Sequence, residues 1–140
     1  MSRAEHISRL SELELFSGCS KKDLQHIARA SDEIEVPAGT VLMEQGAVGQ
    51  DAYVILDGEA VVRRGGRKIA TVGPGDSIGE LALLDHGPRT AYVEATTDMR
   101  LLHLNSRAFK GLLAETPALS LKLLGALASR VRDLDRKIYG

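Results

Sequence analysis

The distribution of glycine constrains the fold of this chain more than any other feature. Ten of the fourteen glycines lie between Gly39 and Gly87, whereas both flanks are poor in glycine and rich in Leu, Ala and charged residues. Glycine reaches positive φ without steric cost and is unfavourable inside helices, so the middle predicts turns between short strands and the flanks predict helices. From Ile34 to Leu104, short runs of Val, Ile, Leu, Tyr and Thr are broken by turn signals at Pro37-Ala38-Gly39, Gly46, Asp57-Gly58, Gly65-Gly66, Gly73-Pro74-Gly75 and Gly87-Pro88. Short strands at this spacing predict an antiparallel sandwich or barrel. Gly65-Gly66, between Val61-Val62-Arg63-Arg64 and Arg67-Lys68-Ile69-Ala70, predicts a two-residue hairpin, because primed turns need positive φ at both central positions.

In the flanks, Leu10, Leu13, Leu15 and Phe16 mark a first helical or turn segment. Ser20 stands as an N-cap with Asp23 in the capping-box position, followed by Leu24, Ile27 and Ala28 on one face. Two short helices are therefore expected before residue 32. The helical pattern resumes at Ser106, and Thr116-Pro117 opens a long last helix reaching about Ile138. Its Leu124, Leu127, Val131, Leu134 and Ile138 recur at alternating three- and four-residue steps. That stripe suits either a coiled-coil seam with a partner or packing against the chain's own strands. With no repeat, low-complexity segment or linker, the reading is one domain over 1–140. It divides into N-terminal helices over 1–32, a strand region over 33–105 and C-terminal helices over 106–140.

Composition removes several function classes. The formal net charge is -1, with 18 Lys plus Arg against 19 Asp plus Glu, so the general attraction to phosphate backbones that a basic nucleic-acid binder relies on is missing. No nucleic-acid binding is expected of this chain. The single Cys19 cannot form an intrachain disulfide, and the N-terminal residues lack the apolar core of a signal peptide. No apolar run approaches the roughly 20 residues of a membrane span. A cytoplasmic location without membrane contact is expected. His6, His26, His86 and His103 show no metal-ligand spacing, and no serine or carboxylate pair is arranged for nucleophilic or acid–base catalysis. Neither an enzyme, a metal site nor a resident cofactor is expected.

The stretch from Gly75 to Ala91 departs from ordinary strand and turn composition. Glu80 to Leu84 is too short for an independent helix, yet consists of good helix formers directly after Gly79. A single helical turn among strands directs unpaired N–H groups and a partial positive charge towards an anion. Gly79 would let that anion approach the backbone, and Arg89, beyond the Gly87-Pro88 turn, can fold back to supply a full positive charge. Thr90 adds a hydroxyl donor. Glu80 would repel an anion unless it faces a hydroxyl-bearing part of the ligand, and a ribose meets that need. The ligand so implied combines a phosphate of low charge, a sugar hydroxyl and an apolar ring. The competing reading of Arg89 and Glu80 is an internal salt bridge that only braces the loop.

Ile78-Gly79-Glu80-Leu81-Ala82-Leu83 followed by Pro88-Arg89-Thr90-Ala91 resembles the phosphate-binding cassette of the cyclic nucleotide-binding domain family, found in catabolite activator proteins and protein kinase regulatory subunits. Gly39, Gly46, Tyr53-Val54-Ile55, Gly58 and Gly75-Asp76 support the resemblance. It implies an α+β fold: an eight-stranded antiparallel β-roll, jelly-roll-like, with short N-terminal helices, a cassette helix within 78–91 and a long C-terminal helix. It also implies that Gly79, Glu80, Leu81 and Ala82 line the sugar-phosphate, with Glu80 accepting the ribose 2'-hydroxyl. Arg89 would pair with the phosphate, and Thr90 would donate to the phosphate or the base. Val62, Ile69, Ala70 and Ala91 would line the base pocket, capped by Arg130, Leu134 and Asp135. In catabolite activator proteins a hydroxyl pair reads adenine where this chain has Leu134-Asp135. The implied ligand is cyclic AMP, with cyclic GMP as the alternative. The terminal helix would both cap the ligand and contact a second copy or an output partner. A nucleotide-independent interaction module on the same fold, and a sugar- or metal-using jelly-roll enzyme, are the rival readings.

Overall fold

The computed structural model describes residues 3–13, 16–47, 51–79, 89 and 91–139; Arg3, Arg130, Leu134 and 137–139 are described by backbone alone. Four helices and eight strands follow in the order α1 (Arg3–Ser11), α2 (Lys21–Arg29), β1 (Ser31–Val36), β2 (Val41–Met43), β3 (Asp51–Asp57), β4 (Ala60–Arg64), β5 (Arg67–Val72), β6 (Ser77–Ile78), β7 (Tyr92–Ala95), β8 (Met99–Asn105), α3 (Ser106–Glu115) and α4 (Pro117–Tyr139). The strands form two four-stranded antiparallel sheets, ordered β1-β8-β3-β6 and β2-β7-β4-β5. This is the α+β roll that the glycine punctuation and the resemblance led us to expect. The cassette helix expected after Gly79 lies outside the described residues.

Two apolar layers hold these parts together, and strand periodicity assigns residues to each. Along β3, Ala52, Val54 and Leu56 face the helices, where they join Leu102 and Leu104 of β8 with Leu10, Ile27, Phe109, Leu119 and Leu123. Tyr53 and Ile55 face the other sheet and pack with Met43, Ile78, Val93, Met99 and Leu101. A strand covered on both faces must be apolar at successive positions, which is why Val54-Ile55-Leu56 carries no polar alternation. Phe16 meets Phe109 at a tilted centroid distance of 6.0 Å, fastening the connection between α1 and α2 to α3. Arg100, on the helix-facing side of β8, pairs with Asp57, Glu5 and Glu33, and so ties α1 to the sheet.

The expected local signals are realised. Ser20 Oγ accepts from the Asp23 amide at 3.1 Å, and Asp23 Oδ2 accepts from the Ser20 amide at 2.9 Å, forming the capping box. Gly65 and Gly66 adopt φ of 58° and 79°, as the hairpin requires. At Asn105 the side chain caps α3 by accepting from the Arg107 and Ala108 amides. Among the described residues, no single helix is long and apolar enough to cross a membrane.

The stripe expected on the last helix divides. Leu119 and Leu123 are buried and Leu127 packs against the helix–sheet core. Leu121, Leu124 and Val131 are 72%, 60% and 65% exposed. Sequence spacing alone does not show which of two adjacent stripes the sheet covers, and the helix rotates so that Leu127 serves the inside. Lys122 Nζ donates to Asp23 Oδ2 at 2.5 Å and fastens the same half of α4 to α2.

Two predictions follow from this packing. Gly58 has φ of 94°, and a Cβ there would lie 2.4 Å from the Asp98 carbonyl oxygen, whereas Gly66 has open space around it. Gly58→Ala should therefore cost at least about 2 kcal/mol and Gly66→Ala about 1 kcal/mol, measured by urea unfolding; equal costs would remove the argument from backbone crowding. The second concerns Asp23, whose carboxyl is held below its usual range, first by the Lys122 bond and then by the Ser20 amide. A carboxylate with a depressed folded pKa contributes stability above its unfolded value, about 4, and loses it as pH falls through the folded value. Asp23→Asn should therefore lower the melting temperature at pH 7, and the gap to wild type should close in acid.

Candidate functional site

The register of β6 on β3 builds the floor of the site. Tyr53 pairs with Ile78 and Val54 with Ser77. The Gly73–Asp76 turn supports this pairing: Asp76 Oδ2 accepts from the Gly73 amide at 2.8 Å, and the Ile55 amide donates to the Asp76 carbonyl at 2.9 Å. Continuing the antiparallel register carries Gly79 to the start of β3. There it adopts φ of 71°, in the left-handed region. A Cβ on Gly79 would lie 2.3 Å from Arg89 Nη1 and 3.2 Å from the Asp51 carbonyl oxygen, so glycine is required both by the backbone and by the side chain lying over it.

Arg89 is held at three points. Its amide donates to the Ala47 carbonyl at 2.7 Å, and its carbonyl accepts from the Gly46 amide at 2.9 Å. The side chain then reaches the floor, where Nη2 donates to the Asp51 carbonyl at 2.6 Å. Gly46, with φ of 87°, makes the turn that brings this strand-like staple into place. Among the described residues Arg89 has no carboxylate partner within ion-pair distance. A guanidinium carries five N–H donors in a planar fork, a geometry that suits a bidentate anion.

Three residues that the sequence reading did not place in the site surround this point. Asp51 Oδ1 lies 2.9 Å from His103 Nε2 on β8, and the His103 ring stacks on Tyr53 at 5.3 Å. Burial raises the Tyr53 hydroxyl above its ordinary pKa, the Asp51 carboxylate adds to this, and Arg89 opposes it. The alternation of β3 could have placed Asp51 and Tyr53 on one face. The pairing with His103, fifty-two residues from Asp51, leaves no local signal.

Of the remaining candidates, Val62 stands directly across from Ala70 on β5 and from Val93 on β7. The register then shifts between Val62 and Arg63, leaving Ile69 as the extra residue of a bulge, 49% exposed. Ala91 is buried. Asp135 is exposed on the C-terminal half of α4. Glu80, Leu81, Ala82 and Thr90 lie outside the described residues, as do the side chains of Arg130 and Leu134. The structure thus brings Gly79 and Arg89 together and faces Val62 with Ala70.

A separate cleft of about 520 Å³ opens beside Glu35, Asp57, Asp98 and Arg100. Two of its acidic groups are engaged: Asp98 Oδ1 accepts from the Ala38 amide at 2.9 Å, and Asp57 binds Arg100. Three carboxylates against one arginine make it unsuited to a phosphate. Among the described residues, no group of three or more His, Cys, Asp and Glu side chains could hold a metal ion.

Comparison with known proteins converges on the same region. The family model described as "Cyclic nucleotide-binding domain" matches residues 33–116, more than half of the chain. A "CRP-like cAMP-activated global transcriptional regulator" of Mycobacterium tuberculosis is 28% identical over 134 residues, covering 92% of this chain and 60% of the relative. A "cAMP-dependent protein kinase regulatory subunit" of Aspergillus fumigatus is 39% identical over 106 residues, covering 74% and 26% respectively. The chain therefore spans less than two thirds of the length of either relative. The crystal structure of the N-terminal domain of a transcriptional regulator from Streptomyces coelicolor superimposes with a TM-score of 0.84 at 31% identity, covering 92% of this chain and 93% of that one.

Proposed function

The chain belongs to the cyclic nucleotide-binding domain family, and we propose that it is a cyclic AMP-binding regulatory domain that reports the nucleotide through its C-terminal helix. The observation that carries this reading is Arg89, stapled by its main chain and laid over Gly79. One guanidinium matches the single negative charge of a cyclic phosphodiester without a metal or other cofactor. Glu80 is assigned to the ribose 2'-hydroxyl, Leu81 and Ala82 to the sugar-phosphate, and Thr90 to the phosphate or base. Val62, Ile69, Ala70 and Ala91 are assigned to the base, with Arg130, Leu134 and Asp135 approaching it from α4. The preference for cyclic AMP over cyclic GMP rests on the names of the relatives. The domain itself works as a sensor rather than an enzyme, in the cytoplasm.

Isothermal titration should give one cyclic AMP per chain. Arg89→Ala should weaken binding by about 3 kcal/mol, more than a hundredfold, because one partner of a desolvated charge pair is removed; Glu80→Ala should cost less. Unchanged affinity in Arg89→Ala would overturn the assignment of the anion site.

The output is assigned to α4 because its two halves differ. The first is fastened by Leu119, Leu123 and the Lys122–Asp23 bond, whereas every described side chain from Ala128 onwards is exposed. A nucleotide that contacts the second half shifts its orientation, since a ligand moves an equilibrium only through contacts that differ between states. The exposed Leu121, Leu124 and Val131 would then be presented to, or withdrawn from, a second copy or an output domain. Hydrogen exchange should show cyclic AMP protecting residues from about 123 to 138 as well as the cassette. Protection of the cassette alone would make α4 a passive packing element.

A further inference from the structure

We propose that Asp51 and His103 form a positioning pair that sets the strength and pH dependence of anion capture by Arg89; this rests on the cyclic nucleotide reading above. The Arg89 side chain is anchored on the Asp51 main-chain carbonyl at 2.6 Å. The carboxylate of that same residue is an anionic group that could compete with a phosphate for the guanidinium. It is instead engaged with His103 Nε2 at 2.9 Å, and the imidazole is kept in line by its stack on Tyr53. The pair therefore holds the carboxylate towards β8 while its carbonyl supports the arginine.

The charge of this arrangement depends on the imidazole. With His103 protonated, the pair is neutral as a unit and the pocket retains the full charge of Arg89. With His103 neutral, an uncompensated carboxylate stands beside the anion site. The charged and titratable groups facing His103 among the described residues are Asp51 and Tyr53 from β3, Asp32 directly across on β1, and Arg89 beyond Asp51. Imidazole is the side chain whose charge ordinarily changes between pH 5.5 and 8. A phosphodiester keeps its single charge there. Affinity for cyclic AMP is consequently expected to be higher at pH 5.5 than at pH 8.

The test is titration calorimetry of the full chain with cyclic AMP at pH 5.5 and pH 8, using wild type, His103→Gln and Asp51→Asn, with circular dichroism establishing that each is folded at both values. Wild type should bind about fivefold tighter at the lower pH, the scale of one partly screened charge near the site. His103→Gln keeps a donor for Asp51 but cannot titrate, and its affinities at the two pH values should agree. Asp51→Asn removes the competing charge and should bind at pH 8 at least as tightly as wild type. A purely structural role would weaken binding equally at both values. Wild-type binding that does not change with pH, or a pH response that persists in His103→Gln, overturns the positioning pair and leaves the nucleotide reading standing. Absence of cyclic AMP binding by wild type at either pH overturns both.

Discussion

The main-chain carbonyl of Asp51 stands where three constraints meet. It opens β3, whose residues are covered on both faces; it lies 3.2 Å from the position a Gly79 side chain would take; and it accepts the Arg89 guanidinium at 2.6 Å. The strand fixes the carbonyl because Asp51 and Ala52 are paired with Asn105 and Leu104 of β8. Gly79 is delivered there by the β6 register, and Arg89 by its main-chain bonds to Gly46 and Ala47. A shift of one residue in the β3–β6 pairing would turn Ile78 out of the inter-sheet core and carry Gly79 away from the arginine. Core packing and site geometry are thus enforced by the same register.

That coupling extends to the helices. Asp51 pairs with Asn105, and the Asn105 side chain caps α3. The other face of β3 and β8 carries the apolar layer on which α1, α2, α3 and the first half of α4 rest. A displacement at the start of β3 would therefore be felt at the α3 N-terminus, one strand pair away. The fold places the anion anchor and the helical layer on opposite faces of one sheet, sharing their central strands.

Much of this was legible in the sequence because the signals are local. The Ser20–Asp23 capping box, the Gly65-Gly66 hairpin and the Gly73-Pro74-Gly75-Asp76 turn each depend on residues within four positions of one another, and each formed as expected. The juxtaposition of Gly79 and Arg89 was legible through their motif. The Asp51–His103–Tyr53 cluster was not, because it arises from pairing between strands separated by about fifty residues. The stripe on α4 was left open between a partner seam and the chain's own core, and it divides: Leu127 packs inside and Leu124 is exposed, because only the position of the sheet decides which is covered. Ile69 is exposed together with the rest of β5 from Arg67 to Thr71, an edge strand of its sheet whose position the sequence does not encode.

We propose that this site selects a cyclic phosphodiester, held by one arginine and a glycine-lined backbone. Displacement of a fluorescent cyclic nucleotide by cyclic AMP, 5'-AMP and adenosine tests it most directly. The account predicts displacement by cyclic AMP at concentrations at least about a hundredfold below those needed for the other two, since adenosine offers Arg89 no anion and 5'-AMP brings a second charge that a single guanidinium does not match. Adenosine or 5'-AMP competing as well as cyclic AMP would contradict it.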